Sequence, residues 1–300
     1  MELRVHYHPR LLARARAGDH VLTERLRQAM ARCDVRVTLC DDARETRRAS
    51  AVAGGHSLVL MHPPLGPRQF VLRLAYLYPF WRIERTAKRW HFRVATARFD
   101  PATVDAAEAA DFCARRRRRD LGGAKPGAGD GTIYVALQGR LRDARSFQTM
   151  SPIEMLAKTL SRADGTPVVA GLHPGEDYDA DDRAALDRLR VSHPNLHVIM
   201  GGMQRVLPRA SLVVTQNSSV ALMGYFLHKP AVLFGQSDFH HIAAKVAELG
   251  VNAAFDKARS SPPDYERYLY WFFNRDSVDA SAPNADAQIV AALTRCGWRA

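Results

Sequence analysis

The sequence predicts an α/β protein whose parallel sheets are covered by helices. Residues 132–250 alternate short apolar runs with longer amphipathic segments, and this alternation indicates parallel strands joined by helices. At 300 residues the chain is long enough for two domains, since a domain usually has about 100–200 residues. Its apolar content of 47% and charged content of 25% are those of a folded globular protein.

The elements of the second half can be assigned in order. The expected strands are residues 132–137, 167–170, 196–200, 212–215 and 231–234. The expected helices are residues 152–160, 181–190, 218–227 and 242–249. Ser151 before Pro152 is a typical helix start, with serine as the N-cap and proline in the first turn. Polar clusters follow several strands, and ligands bind in such sheets at the carboxyl ends of the strands.

The first half of the chain is less regular. We predict a helix at residues 21–33 and strands at residues 35–39 and 57–61. Residues 70–80 are apolar and aromatic, which favours a buried or interface helix, with a membrane-surface element as the alternative.

A glycine-rich stretch divides the two halves. Residues 122–131 contain five glycines and one proline, a composition that favours a loop or linker over a helix or strand. We therefore expect an N-terminal lobe at residues 1–121, a linker at 122–131, and a C-terminal lobe at 132–300, the clearer of the two.

The positive charge of the chain is concentrated in its first half. The net charge is +12, and residues 1–130 carry 25 Lys and Arg against 14 Asp and Glu. A basic surface attracts polyanions such as acidic glycans, anionic lipid or nucleic acid. Arg115 to Arg119 form an unbroken run, which is typical of a solvated helix end or, alternatively, of an anion contact. No nucleic-acid module, P-loop or dinucleotide fingerprint is recognisable, so a nucleic-acid partner is not expected.

The sequence also predicts where the protein works. No apolar run is long enough for a membrane span, and the first residues lack a signal-peptide pattern. The four cysteines are scattered without metal-binding spacing, which suits reduced thiols. We expect a cytoplasmic protein, and the basic half offers a means of peripheral contact with an anionic membrane at its inner face.

Asp143 follows the first predicted strand of the second half, at a position where a substrate would lie. Arg140, Arg142 and Arg145 flank it in sequence, and nearby cations keep a carboxylate ionised. An ionised aspartate can act as nucleophile or general base. The alternative is a loop aspartate that is simply paired with one of these arginines.

Two further polar clusters follow predicted strands. His173 precedes Pro174, which restrains the turn, so its imidazole could donate to a phosphate or be merely structural. Asn217, Ser218 and Ser219 precede a predicted helix, where they could cap the helix or bind an anion.

A third cluster follows the fifth strand and contains Asp238, His240 and His241. Its spacing matches no standard metal motif and no cysteine lies nearby in sequence, so no metal is expected.

These motifs, in this order, resemble the capsule polysaccharide biosynthesis family, the β-Kdo glycosyltransferases and their relatives. The matching residues are Gln138, Asp143, Ser146 and Ser151-Pro152 in the first motif, His173-Pro174 in the second, and Asn217-Ser218-Ser219 with Lys229-Pro230 in the third. The likeness covers residues 132–300, including the aromatic segment that begins at Tyr268. In the first half only Pro79-Phe80-Trp81 supports it.

The resemblance implies a GT-B-like architecture of two Rossmann-like lobes. The N-terminal lobe, residues 1–121, would be the acceptor side, and the C-terminal lobe, residues 132–300 with its C-terminal helices, would bind the nucleotide sugar. It implies transfer of a sugar to an acidic glycan or glycolipid acceptor in the synthesis of capsule or other surface polysaccharide. The donor would be a nucleotide sugar, CMP-Kdo in the best-known members, and no separate cofactor is implied. Asp143 would attack the anomeric carbon, and His173 would contact the phosphate or assist departure of the nucleotide. Donor-binding residues would be Gln138, Arg142, Ser146, Pro174, Asn217, Ser218 and Ser219.

The chain departs from the family pattern in three respects. The gap from Gln138 to Asp143 is one residue longer than in the commonest pattern. Gly171 stands where the family often has lysine, and residues 221–223 read Ala-Leu-Met where it often has Gly-Leu-Glu. A second hypothesis is therefore a sugar- or polyanion-binding relative without catalytic activity.

Overall fold

The computed structural model describes residues 1–260 and 262–299. They form two compact units. Unit 1 combines Met1–Ala97 with a segment that begins at Phe272, and unit 2 is Arg98–Trp271. Each unit contains one mainly parallel sheet with helices, so the predicted α/β class is confirmed.

The secondary structure of the described residues is as follows. The strands are β1 Glu2–Tyr7, β2 Arg36–Asp41, β3 His56–Leu60, β4 Gln69–Leu74, β5 Phe80–Glu84, β6 Ile133–Ala136, β7 Val168–Leu172, β8 Leu196–Met200, β9 Leu212–Thr215, β10 Ala231–Leu233, β11 Ala244–Lys245 and β12 Val278–Asp279. The helices are α1 Pro9–Arg16, α2 Val21–Ala31, α3 Arg44–Val52, α4 Arg93–Thr96, α5 Ala106–Asp120, α6 Pro152–Leu160, α7 Ala180–Ser192, α8 Met203–Val206, α9 Ser219–Tyr225, α10 Val246–Leu249, α11 Val251–Ser260, α12 Tyr265–Asn274 and α13 Ala285–Arg295.

The two sheets differ in strand direction. In unit 1 the order is β12-β5-β4-β3-β1-β2, where β1 to β4 are parallel and β5 pairs antiparallel with both β4 and β12. In unit 2 the order is β11-β10-β9-β6-β7-β8 and all pairs are parallel. No helix among the described residues has the length and apolar character needed to cross a bilayer.

The end of the chain completes unit 1. Strand β12 extends the sheet beside β5, and helix α13 packs against α2. Ile289 and Leu293 on α13 are fully buried in the same core as Leu26 and Met30 of α2. This division differs from the expected lobes at 1–121 and 132–300, because a sequence pattern does not reveal which sheet a terminal segment joins.

The glycine-rich stretch at residues 122–131 lies within unit 2. It is irregular, as predicted, but it is anchored at two points. Lys229 donates through Nζ to the carbonyl oxygen of Gly127 at 2.6 Å, and Asp130 accepts from Arg209 at 2.8 Å. Hydrogen bonds from Thr132 and Arg209 hold the pKa of Asp130 far below its usual range. The stretch therefore packs on unit 2 and does not mark the boundary between units.

Two predicted helices are wrong. Residues 70–80 form most of β4, a turn and the start of β5, because a short apolar run can be a buried strand as readily as a helix. Residues 242–249 contain the edge strand β11 and the single-turn helix α10.

The arginine run forms the last part of α5, as the helix-end interpretation predicts. Four of its members pair with carboxylates. Arg116 pairs with Asp120 at 2.8 Å and Arg117 with Glu266 at 3.0 Å, and Arg115 and Arg119 pair with Asp111 and Asp120. The charge of the run is therefore partly neutralised within unit 2.

Candidate functional site

The carboxyl ends of three strands meet at one edge of the sheet in unit 2. Strand β6 lies between β7 and β9, and Ala136 at its end is in register with both Gly171 and Thr215. The chain proceeds from β6 to β7 on one side and later to β9 on the other, so the strand order reverses between β6 and β9. Open α/β sheets bind ligands at such a reversal, outside the carboxyl ends of the strands.

The loop that follows β6, residues 137–151, is fixed at this edge. Leu141 is fully buried in the core of unit 2, and the amide of Thr149 donates to the carbonyl of Phe234 at 2.9 Å. At the end of the loop, Ser151 caps α6 and accepts from the Glu154 amide, while the Glu154 carboxylate accepts from the Ser151 amide at 2.8 Å. This reciprocal capping box confirms the predicted helix start.

Several buried polar atoms of this edge lack a hydrogen-bond partner among the described residues. They are Oε1 of Gln138, Nε and Nη2 of Arg145, Nε2 of Gln148, and Oε1 of Gln216. Gln138 lies two residues after the end of β6, and Gln216 directly follows β9. These are the strands at which the order reverses. Because buried polar groups are nearly always paired with protein, water or ligand, these atoms are candidates for pairing with water or with a polar ligand at this edge.

Among these residues, Arg145 has the side chain best suited to bind an anion. Its unpaired atoms, Nε and Nη2, lie on the same side of the guanidinium and form a two-pronged donor that matches a phosphate or carboxylate. The guanidinium carbon lies 5.0 Å from the centre of the Phe147 ring. Burial lowers the pKa of Arg145, and the negative charge of Glu176 opposes that effect. In the sequence, Arg145 stands out only as a neighbour of Asp143.

Asp143 itself is exposed and ion-paired. Its Oδ2 accepts from Arg140 Nε at 3.0 Å, and 56% of its side chain is accessible. This is the contact expected for the loop-aspartate alternative. Asp143 and Tyr178 both line a pocket of about 360 Å³. The nucleophilic role of Asp143 stays a prediction.

His173 is connected to the same pocket through Tyr178. The His173 amide donates to the Tyr178 hydroxyl at 2.8 Å, and the Gly175 amide donates to His173 Nδ1 at 3.1 Å. A neutral imidazole that accepts at Nδ1 carries its proton on Nε2. His173 is therefore arranged as a donor through Nε2, and the next residue, Pro174, is exposed.

The Asn217-Ser218-Ser219 cluster has the contacts of a structural cap. Ser218 Oγ accepts from the Val220 amide at 3.3 Å at the start of α9. Asn217 is buried and donates through Nδ2 to the carbonyl of Gln236 at 3.0 Å, while Ser219 is exposed. These contacts agree with the capping interpretation, and the donor-binding role of the three residues stays a prediction.

Arg142 and Ser146 occupy different surroundings within the loop. Arg142 pairs with the three carboxylates of Asp179, Asp181 and Asp182 at 2.8, 3.3 and 3.2 Å. These carboxylates raise the pKa of Arg142, and the hydrogen bond to Asp182 has the largest effect. This network ties the loop to the start of α7. Ser146 is exposed.

The paired histidines His240 and His241 lie against each other. The rings of His240 and His241 are stacked with centroids 4.5 Å apart. The described residues include no group of three or more His, Cys, Asp or Glu side chains placed to hold a metal ion.

Sequence reasoning did not single out Arg145, Gln148 and Gln216, whose unpaired polar atoms make them candidates for this site. All three stand in or beside motifs that the sequence had singled out, but their sequence contained no signal of burial. Only the fold reveals that the loop after β6 and the end of β9 leave these side chains unpaired.

No family model matches the chain, and no curated protein sequence is significantly similar to it. Several solved protein structures have a fold similar to that of this chain. The beta Kdo 2,7 transferase of KpsC from Thermosulfurimonas dismutans matches with a TM-score of 0.57 at 11% identity, covering 99% of this chain and 100% of that chain. The beta Kdo 2,4 transferase of KpsC from the same organism matches with a TM-score of 0.46 at 13% identity, covering 89% of each chain. A UDP-GlcNAc 2-epimerase from Neisseria meningitidis matches with a TM-score of 0.39 at 10% identity, covering 98% of this chain and 100% of that chain.

The first of these likenesses shows a shared fold, and the lower TM-scores of the other two support no further conclusion. The predicted fold class, two α/β lobes of the GT-B type, is thereby confirmed.

Proposed function

We propose that this protein is a glycosyltransferase of surface-polysaccharide assembly that binds a nucleotide sugar at the carboxyl edge of the sheet in unit 2. The observation that carries the proposal is the set of unpaired buried polar atoms between β6 and β9, above all the two-pronged donor of Arg145. A nucleotide sugar supplies the matching chemistry, because its phosphate accepts two parallel hydrogen bonds and its hydroxyls pair with amide side chains.

The proposed reaction has two displacements. The Asp143 carboxylate attacks the anomeric carbon, and the bond to the nucleotide phosphate breaks with its electron pair on the phosphate oxygen. His173 Nε2–H stabilises that developing charge, since preorganised donors act most strongly on charge that appears in the transition state. An acceptor hydroxyl then displaces Asp143 and loses its proton to solvent. The proposed donor is CMP-Kdo, and the proposed acceptor is an acidic glycan or glycolipid.

Nucleotide binding is the first test. The full chain is melted with CMP, UDP and GDP in parallel, because a ligand that binds the folded state raises the melting temperature by mass action. We expect CMP to give the largest rise. Equal melting temperatures with and without all three nucleotides would refute a nucleotide site at this edge.

Turnover is the second test, with a matched pair of variants. Asp143→Asn is compared with Asp187→Asn, because both aspartates are exposed and paired with an arginine three residues away. We expect Asp143→Asn to lower CMP release from CMP-Kdo by roughly 10³-fold or more, with the wild-type melting temperature, while Asp187→Asn keeps wild-type turnover. Equal turnover in the two variants would exclude Asp143 as the nucleophile.

One observation favours the alternative of a non-catalytic relative. At Gly171, where the resembled family often has lysine, a Cβ atom would lie 2.6 Å from the Tyr134 hydroxyl oxygen. Tyr134 thus occupies the space that a side chain at residue 171 needs. Binding of CMP without any release of sugar from CMP-Kdo, under conditions where the chain is folded, would establish this alternative.

A further inference from the structure

Tyr134 is a buried residue whose side chain points toward the carboxyl edge of the sheet in unit 2. Its backbone in β6 lies beside Val169 of β7. Gly171 is two residues further along β7, a step of roughly 6.6 Å in a strand. A Cβ atom on Gly171 would nevertheless lie 2.6 Å from the Tyr134 hydroxyl oxygen. The tyrosine side chain therefore extends along the strands, and its hydroxyl lies near the end of β7.

The Tyr134 hydroxyl forms no hydrogen bond within residues 1–260 and 262–299. Only 3% of the residue is exposed, and buried tyrosine hydroxyls usually have a partner. Burial raises the pKa of the phenol, so the hydroxyl keeps its proton at neutral pH. The face of the sheet that carries Tyr134 is accessible near β8, where His197 is exposed and Ile199 is partly buried. The hydroxyl is therefore an unused donor beside accessible surface.

Gly171 leaves the space that this hydroxyl occupies. A Cβ atom at this position would also lie 2.9 Å from Cε2 of the Tyr134 ring and 3.1 Å from the carbonyl oxygen of Gly201. In a close-packed interior any larger residue would displace the ring. The end of β7 thus receives a polar group from the neighbouring strand, because its own residue has no side chain.

The donors at this strand end match an anionic oxygen. His173 follows Gly171 by two residues and accepts at Nδ1 from the Gly175 amide, so its proton lies on Nε2. The end of β7 therefore carries an O–H donor and an N–H donor. A hydrogen bond to a charged oxygen is about twice as strong as a neutral one, and phosphate is the charged group that every nucleotide sugar contains.

We propose that Tyr134 donates its hydroxyl hydrogen bond to the phosphate of the bound nucleotide, and that Gly171 is required because it lets the hydroxyl reach the strand end. The inference rests on the nucleotide site proposed above. It does not rest on sugar transfer, since a non-catalytic relative would bind the same phosphate. Tyr134 lies outside the three motifs that carry the family resemblance.

The test compares CMP with cytidine, which lacks the phosphate. Tyr134→Phe keeps the ring that packs over Gly171 and removes only the hydroxyl. We expect this variant of the full chain to bind CMP at least about tenfold more weakly than the wild type in isothermal titration, because one charge-assisted hydrogen bond is lost. Cytidine, followed by ligand-detected NMR, should not distinguish the two proteins. An equal loss for cytidine, or no loss for CMP, would overturn the proposal.

Tyr265→Phe is the matched control. Tyr265 is another buried tyrosine of unit 2 whose hydroxyl lacks a partner in the described chain. Its ring stacks on His228, which precedes β10 and so lies toward the amino edge of the sheet. Both variants lose an unpaired buried hydroxyl, so both should melt at or slightly above the wild-type temperature. Only Tyr134→Phe should lose CMP affinity, and an equal loss in Tyr265→Phe would overturn the assignment.

Gly171→Ala tests the requirement for glycine. In the wild-type background it should weaken CMP binding about as much as Tyr134→Phe does, whereas in the Tyr134→Phe background it should add little, because the hydroxyl is already absent. Additive losses would contradict this coupling. If the wild type binds none of CMP, UDP and GDP, the nucleotide site itself is refuted. If the wild type binds CMP and Tyr134→Phe binds it equally well, only the role of Tyr134 is refuted.

Discussion

The carboxyl edges of the two sheets differ in charge and polarity. In unit 1 a pocket of about 490 Å³ at the end of β4 is lined by the rings of Tyr78 and Trp81 and by His20, whose pKa is lowered to about 4 by burial. The one cation and one anion of this pocket cancel. In unit 2 the loop after β6 carries Arg145, whose Nε and Nη2 lack hydrogen-bond partners among the described residues, and the network of Arg142 with three aspartates. Two units of the same fold class thus present one strand edge that is largely uncharged and another that is rich in charge.

This difference between the two edges is the reverse of what the distribution of charge in the sequence would predict. Residues 1–130 carry nearly the whole positive excess, 25 cations against 14 anions, whereas residues 131–300 carry 18 against 17. The edge that carries Arg145 nevertheless lies in the balanced half. Net charge describes the whole surface of a region, while the character of a site depends on the few charges that remain unpaired when the chain folds.

The largest expected effect tests whether the hydrophobic cores of the two units are stabilised independently. Leu293→Ala removes a fully buried side chain from the core of unit 1 and should lower the free energy of unfolding by about 4 kcal/mol. Hydrogen exchange should show faster exchange in residues 1–97 and 272–299 than in 98–271. Faster exchange across 132–271 instead would mean that α13 stabilises unit 2.

A second prediction concerns a carboxyl group that unit 1 buries. Burial raises the pKa of Glu84 to about 7, and the nearby Arg82 opposes that rise. The unfolded chain ionises this group near its ordinary value, so the folded state loses stability as pH rises from about 4.5 to 7 and no further above that. The full effect is at most about 3 kcal/mol.

Glu84→Gln should remove this loss. The amide oxygen of glutamine can still accept from the Arg93 amide, which bonds Glu84 Oε1 at 3.2 Å. We expect the variant to exceed the wild type in stability at pH 8 by about 2–3 kcal/mol and to differ little at pH 4.5, measured by urea unfolding at both values. The same gain at both pH values would mean that ionisation of Glu84 is not its cause.

The sequence predicted unit 2 better than unit 1 for a physical reason. In unit 2 each strand and helix is local, with clear starts such as Ser151-Pro152, and all five expected strands are present. In unit 1 an antiparallel strand, β5, follows β4 after a tight turn, and β12 comes from the other end of the chain. Pairings of that kind depend on contacts between distant residues, which a single sequence does not display.

The candidate site was predictable to a lesser degree. The strand-end positions of Asp143, His173 and Ser218 follow from the alternation of elements, and the register of β6, β7 and β9 brings those strand ends to one edge. Whether a polar side chain is paired is decided by its neighbours in space. That is why the Arg140 contact of Asp143 and the unpaired donor of Arg145 came only from the structure.

A third prediction tests the charged edge directly. Arg145→Met removes a buried guanidinium whose Nε and Nη2 are unpaired, so the free energy of unfolding should rise by about 1 kcal/mol. The same change should weaken CMP binding about 30-fold, because two charge-assisted hydrogen bonds are lost. Arg190→Met, at an exposed arginine of the same unit, is the control. Loss of stability with unchanged CMP affinity would make Arg145 a structural residue.

The smallest effect we predict concerns the end of the loop that carries this edge. Ser151→Ala removes the N-cap of α6 and half of its capping box, which should cost about 1 kcal/mol of stability, while Ser151→Thr retains a cap and should restore most of it. Because the cap holds the last residue of the loop, CMP affinity should fall by only about two- to threefold, measured by isothermal titration. Equal stability of Ser151→Ala and the wild type would mean that this cap does not hold the loop in place.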